Sequence, residues 1–173
     1  MSLAKILRAD KRYKKVVNIL ESAQRRINVD RDRSEAFALH AGLEVRSLQG
    51  KRLLSTSAII SATAQIQANR SRLVEIRARS TEHVSYLEEA CKAFRKYALT
   101  KYADEFKSYR TKDERDSILY TVLKPSMDFV SEVSTLTDIL DMFIKDLDQS
   151  GHTVRHIIDI LKLLDSSKTG KTI

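Results

Sequence analysis

The 173-residue chain has one proline, four glycines, one cysteine and no tryptophan. So few turn-forming residues exclude sandwiches, barrels and Gly-rich nucleotide folds, which all need many tight turns. A lone cysteine, Cys91, excludes an intrachain disulfide framework and a Cys-rich zinc site, and it suits a reducing compartment. No segment reaches roughly 18 consecutive apolar residues, so no membrane span is expected. Met1 to Arg8 runs straight into charges without an apolar signal region. A soluble protein of the cytoplasm is expected, the host cell's if the chain is phage-encoded.

What remains is helix-forming: 42% hydrophobic and 31% charged residues, rich in Ala, Leu, Ile, Arg and Lys. These predict an all-α chain of long amphipathic helices joined by few breaks. The net charge is +8, divided as +10 over residues 1–80, +2 over 81–112 and −4 over 113–173. Cations concentrated in one part of a chain point to a polyanion partner, nucleic acid ahead of an anionic membrane. The plain alternative is a solvated basic helix surface.

The period of the apolar residues sets out the elements. Residues 3–28 read as one amphipathic helix through Leu7, Val16, Leu20 and Ile27. Its polar face carries Arg8, Lys11, Arg12, Lys14, Lys15, Arg25 and Arg26. Asp32 and Glu35 have capping-box spacing for a second helix through Phe37, Leu39, Leu43 and Leu48, with Gly50 available to end it. From Leu53 to Tyr109, Ile59, Ile66, Leu73, Ser80, Leu87 and Phe94 recur every seven residues. This heptad seam predicts one long helix, or two meeting near Ser80. Arg110 to Asp116 reads as a turn. Pro125 is placed as the first residue of a helix through Leu147 that Ser150-Gly151 ends, followed by a last helix through Leu164. The expected regions are a basic helical part (1–50), a long helical part with a basic and aromatic stretch (51–112), C-terminal helices (113–165) and a disordered tail (166–173). The apolar stripes need cover, which predicts homo-oligomerisation.

No catalytic set emerges, and neither a cofactor nor a metal is expected. Lys168 to Thr172 resembles the end of a phosphate-binding loop, but Asp165 stands where the first glycine belongs. His152 and His156 share a helix face without a third metal ligand. The strongest constellation is Phe94-Arg95-Lys96-Tyr97 with Lys92, Lys101-Tyr102, Phe106-Lys107 and Tyr109-Arg110. Cations neutralise phosphates and rings stack on unpaired bases, although most of these rings also follow helical core spacing. Arg70, Arg72, Arg77 and Arg79 form a second basic group, and Arg8 to Lys15 a third.

The run Leu136-Thr-Asp-Ile139-Leu140-Asp-Met-Phe143-Ile144-Lys-Asp-Leu147-Asp-Gln-Ser-Gly151-His-Thr-Val154-Arg155-His156-Ile157, with Phe94 to Tyr109 and Arg115 to Leu123 upstream, resembles the UvsY family of tailed-phage recombination mediators. The likeness covers roughly residues 85–165. It implies a non-enzymatic accessory factor that binds single-stranded DNA. Such a factor helps a RecA-like recombinase displace single-strand-binding protein. Arg95 and Lys96 would correspond to the family's DNA-contacting pair. Residues 136–161 would form the ring-building region, through Leu136, Ile139, Leu140, Phe143, Ile144, Leu147, Gly151, Val154, Ile157, Ile158 and Leu161. The alternative from another class is a helical, oligomeric phage structural or scaffolding protein whose basic part meets an acidic protein.

Overall fold

The computed structural model describes residues 2–42 and 56–169, with side chains described as far as Leu163. The expectations at Leu43, Leu48, Gly50, Leu53 and Leu164, and those for residues 170–173, fall outside this range. Among the described residues the protein is all-α and contains no strand. The helices are α1 (Leu3–Ala9), α2 (Lys11–Arg26), α3 (Val29–Ala41), α4 (Thr56–Lys101), α5 (Ala103–Phe106) and α6 (Lys112–Thr169).

The first break corrects the single helix expected over residues 3–28. Asp10 is extended (φ −66°, ψ 141°), and its carboxylate accepts the Arg12 backbone N–H at 2.7 Å, so it caps α2 while ending α1. An aspartate at an N-cap satisfies a donor the helix cannot satisfy itself, and here that outweighs an unbroken apolar period. The cap of α3 is likewise Asn28, whose side-chain oxygen accepts from Arg31 N at 3.0 Å. Asp32 is fully buried inside α3, between Arg31 (3.0 Å) and Arg79 (2.7 Å), and caps nothing.

Residues 56–101 form one helix, which settles the choice between one and two. All six residues of the seven-residue repeat are buried, Ser80 included. The start of α6 is a capping box that the sequence carries as Thr111-x-x-Glu114. Thr111 Oγ1 accepts from Glu114 N at 3.1 Å, and Glu114 Oε2 accepts from Thr111 N at 3.2 Å. From Lys112 the helix runs unbroken to Thr169. Pro125 therefore lies inside it instead of opening it, and Ser150-Gly151 does not end it. No glycine among the described residues has a positive φ, so Gly151 takes ordinary helical geometry at the cost of some backbone entropy. Residues 166–169 of the expected tail belong to the same helix.

The chain divides into two compact units, each drawn from two stretches of sequence: Met1–Asp32 with Ala78–Thr137, and Arg33–Arg77 with Asp138–Ile173. In the first, α1 and α2 pack on the end of α4 and the start of α6. Leu7, Val16, Leu20 and Ile27 meet Leu87, Phe94 and Ala98 from α4 and Leu119, Val122 and Val133 from α6. Tyr13 and Phe94 place their ring centroids 5.7 Å apart. In the second, α3 packs beside α4 and α6. The His40 ring stacks on Phe143 at 4.1 Å, Phe37 meets Phe143 edge-on at 5.1 Å, and His40 Nε2 lies 3.1 Å from Asp146. Asn69 of α4 donates through its side-chain amide to the Leu39 carbonyl at 2.8 Å. Fully burying a leucine such as Leu73, Leu140 or Leu147 contributes about 1.5–3 kcal/mol each.

Candidate nucleic-acid interface

Each basic group can be sorted by what its cations already touch. The four arginines of the second group all sit on carboxylates. Arg70 Nε donates to Asp148 at 2.6 Å, Arg72 Nε to Glu35 at 2.6 Å, and Arg79 to Asp32 at 2.7 Å. Arg77 pairs with Asp141 through two hydrogen bonds. Donating to these carboxylates raises the pKa of Arg70, Arg72 and Arg77 further. Arg70–Asp148 and Arg77–Asp141 are seven residues apart on each helix, so they fasten α4 and α6 antiparallel in one register. A guanidinium already paired in this way gains little from a phosphate unless it first gives up its carboxylate.

The basic and aromatic stretch is largely committed as well. Arg95 bonds Asp116 at 3.0 Å, Lys107 lies 2.6 Å from Asp104, and Lys92 is a looser 3.7 Å from Glu88. Phe94 and Phe106 are buried, and Tyr109 is half-buried. Lys96 and Arg110 are exposed, and among the described residues neither meets a carboxylate.

Lys101 and Tyr102 converge on Asp10, which the sequence reading did not single out. Its Oδ2 accepts from Tyr102 Oη at 2.6 Å, Lys101 Nζ at 2.9 Å and Tyr97 Oη at 3.2 Å. Burial pushes the Asp10 carboxyl up, but the hydrogen bonds from Tyr102, the Arg12 backbone, Lys101 and Tyr97 together hold it well below the usual carboxylate range. Lys101 is raised in turn by Tyr97, Asp10 and Tyr102, and the Tyr102 phenol is raised by Asp10. The available signal was the residue type alone: aspartate is a preferred N-cap, and Asp10 stands directly before the apolar period of α2.

Among the described residues the third basic group, with its neighbours Lys5 and Arg26, is the most open of the three. On α1 and α2, Lys5, Lys11, Lys14, Lys15 and Arg26 are exposed, and among the described residues no carboxylate lies within ion-pair reach of them. Arg25 has only Glu21, at 3.7 Å with both side chains well exposed. Arg8 reaches the Thr121 carbonyl at 3.4 Å, which leaves its charge uncompensated.

The apolar residues read as an assembly stripe fall into two sets. Leu136, Leu140, Phe143, Leu147 and Val154 are buried within the chain itself. Ile139, Ile144, Gly151, Ile157, Ile158 and Leu161 are half-buried. Among the described residues, the large apolar side chains that α6 leaves exposed are Tyr120, Met142, Ile160 and Leu163.

Comparison with protein-family models, curated proteins and solved structures gives no match. The interface therefore rests on its own chemistry. Among the described residues no three His, Cys, Asp or Glu side chains gather as a metal site, and no helix is long and apolar enough to cross a membrane.

Proposed function

We propose that this chain is a non-enzymatic, single-stranded-DNA-binding accessory protein, and that the exposed cationic face of α1 and α2 carries the contact. One observation supports the reading above others. Among the described residues Lys11, Lys14, Lys15 and Arg26 of α2 have no ion-pair partner, whereas the arginines of α4 lie on carboxylates. Lys11, Lys14, Lys15 and Arg26 project from one 16-residue helix, about 24 Å long, a length that spans several nucleotides. Neutralising phosphates along such a face releases counterions and gives sequence-tolerant, salt-dependent binding. Lys96, the unpaired member of the pair suggested by the family resemblance, adds to the cationic surface of the same unit.

The finer role follows from that resemblance: a recombination mediator that loads a RecA-like recombinase onto DNA coated with single-strand-binding protein, working as a homo-oligomer or ring. Repeating a modest basic face in several subunits would raise avidity without any new contact. The test is size-exclusion with light scattering, with and without a dT40 oligonucleotide, across a salt series. Co-elution of an oligomer with the oligonucleotide, weakening steeply with salt, is the expected result. A protein that ignores dT40 and instead retains an acidic polypeptide would favour the scaffolding alternative.

A further inference from the structure

A cavity of about 650 Å³ opens at the corner between α1 and α2, against the end of α4. Asp10, Lys11 and Arg12 line it from the corner, and Tyr97, Lys101 and Tyr102 line it from α4 and the residue after it. Three cations face one carboxylate, so the cavity is net positive. The Asp10 oxygens already hold four donors. The Arg12 guanidinium lies over the Tyr97 ring, 4.0 Å from its centroid. Stacking holds a guanidinium by its face and leaves its N–H edge available. Among the described residues nothing accepts from that edge, and Lys11 meets no carboxylate. A volume of this size holds a small polar ligand with its immediate substituents.

We propose that this corner seats one backbone phosphate of a bound single strand, with Arg12 and Lys11 as its donors and Lys101 as the third cation. The inference rests on the reading of α2 as the binding face and gives that face a fixed point. Strand register would be set where the guanidinium is pre-oriented, while Lys14, Lys15 and Arg26 make looser contacts further along.

The test measures fluorescence anisotropy of labelled dT20 over a salt series. Arg12→Ala is expected to weaken binding about tenfold, the loss of a charge-assisted hydrogen bond. It should also flatten the log–log salt slope by about 0.7. Arg12→Lys should restore the slope but only part of the affinity, since an ammonium lacks the planar fork. Asp10→Asn keeps a side-chain oxygen for the cap and removes the competing charge, so it should tighten binding severalfold even as it weakens the fold. A purely structural corner would shift affinity the other way. The proposal is overturned if Arg12→Ala leaves affinity and slope unchanged while Lys14→Ala/Lys15→Ala lowers both, because the face then binds without the pocket. If neither variant changes anything, the reading of the face fails with it. Loss of binding to phosphatidylserine vesicles without loss on dT20 would also overturn it.

Discussion

The Tyr13 hydroxyl donates to the Val122 carbonyl at 3.2 Å, tying α2 to α6 one turn before Pro125. Proline has no N–H for the Thr121 carbonyl, and its ring crowds that turn of the helix. Two side chains from the N-terminal helices meet the loosened turn: Tyr13 at Val122 and Arg8 at Thr121. The proline is thus accommodated by tertiary hydrogen bonds and does not end the helix.

Tyr13→Phe should therefore lower stability by about 1 kcal/mol, the net value of one such hydrogen bond. In a Pro125→Ala background, where the ring no longer crowds the turn that carries the Val122 carbonyl, the cost should shrink. Urea denaturation of both singles and the double gives the coupling. A cost that does not depend on residue 125 would separate the two features.

Gly151 offers a sharper test of the unbroken helix. A Cβ added there would meet nothing within 4 Å, and the backbone is helical. Gly151→Ala should raise the stability of the protein by about 0.5–1 kcal/mol. A turn with positive φ at this position would give the opposite sign in the same thermal or urea melt.

The Asp10 cluster makes stability depend on acid. Its carboxyl titrates below the ordinary value of 3.8 in the folded chain, so its contribution is present above that value. The contribution is lost as the pH falls through the lower folded-state pKa. Urea midpoints taken at falling pH should drop in the wild type. For Asp10→Asn they should start lower at neutral pH and fall less. Parallel acid profiles would mean that Asp10 titrates alike in the folded and unfolded chain.

Much of this fold was readable from spacing. Ile59 through Phe94 recur every seven residues and are all buried, so period alone located the α4 seam. The breaks were harder to read. Pro125 and Gly151 look like helix punctuation, but long-range packing on both sides of them outweighs a local preference of a few kcal/mol at most. Asp10 was hidden for the opposite reason, since one capping side chain outweighs an unbroken apolar stripe. The charge imbalance was read as a binding footprint. Part of it is internal pairing between α4 and α6, because Arg70 and Arg77 from the basic part find Asp148 and Asp141 in the acidic part. Sequence spacing could not separate these paired arginines from unpaired cations, since the partners of Arg70, Arg72, Arg77 and Arg79 across the fold lie 37 to 78 positions away.

Burial also divides the apolar residues of α6 by their expected effect. Leu140→Ala should cost about 2–5 kcal/mol of stability, because it opens a cavity in the chain's own core. Ile160→Ser with Leu163→Ser should change stability little, since both side chains are more than half exposed. If the chain self-associates through this end of α6, light scattering of the double variant will show a lower mass. An unchanged mass would move the assembly surface elsewhere.

The central claim is that the unpaired cations of α2 bind the strand, not the paired arginines of α4. Its most direct test is the salt dependence of dT20 binding by Lys14→Ala/Lys15→Ala/Arg26→Ala, set beside Arg70→Ala/Arg77→Ala. The α2 triple variant should flatten the log–log slope by about 2, at about 0.7 per phosphate contact. The α4 pair should leave the slope within error of wild type. A full slope in the triple variant, with a flattened one in the α4 pair, would contradict the account.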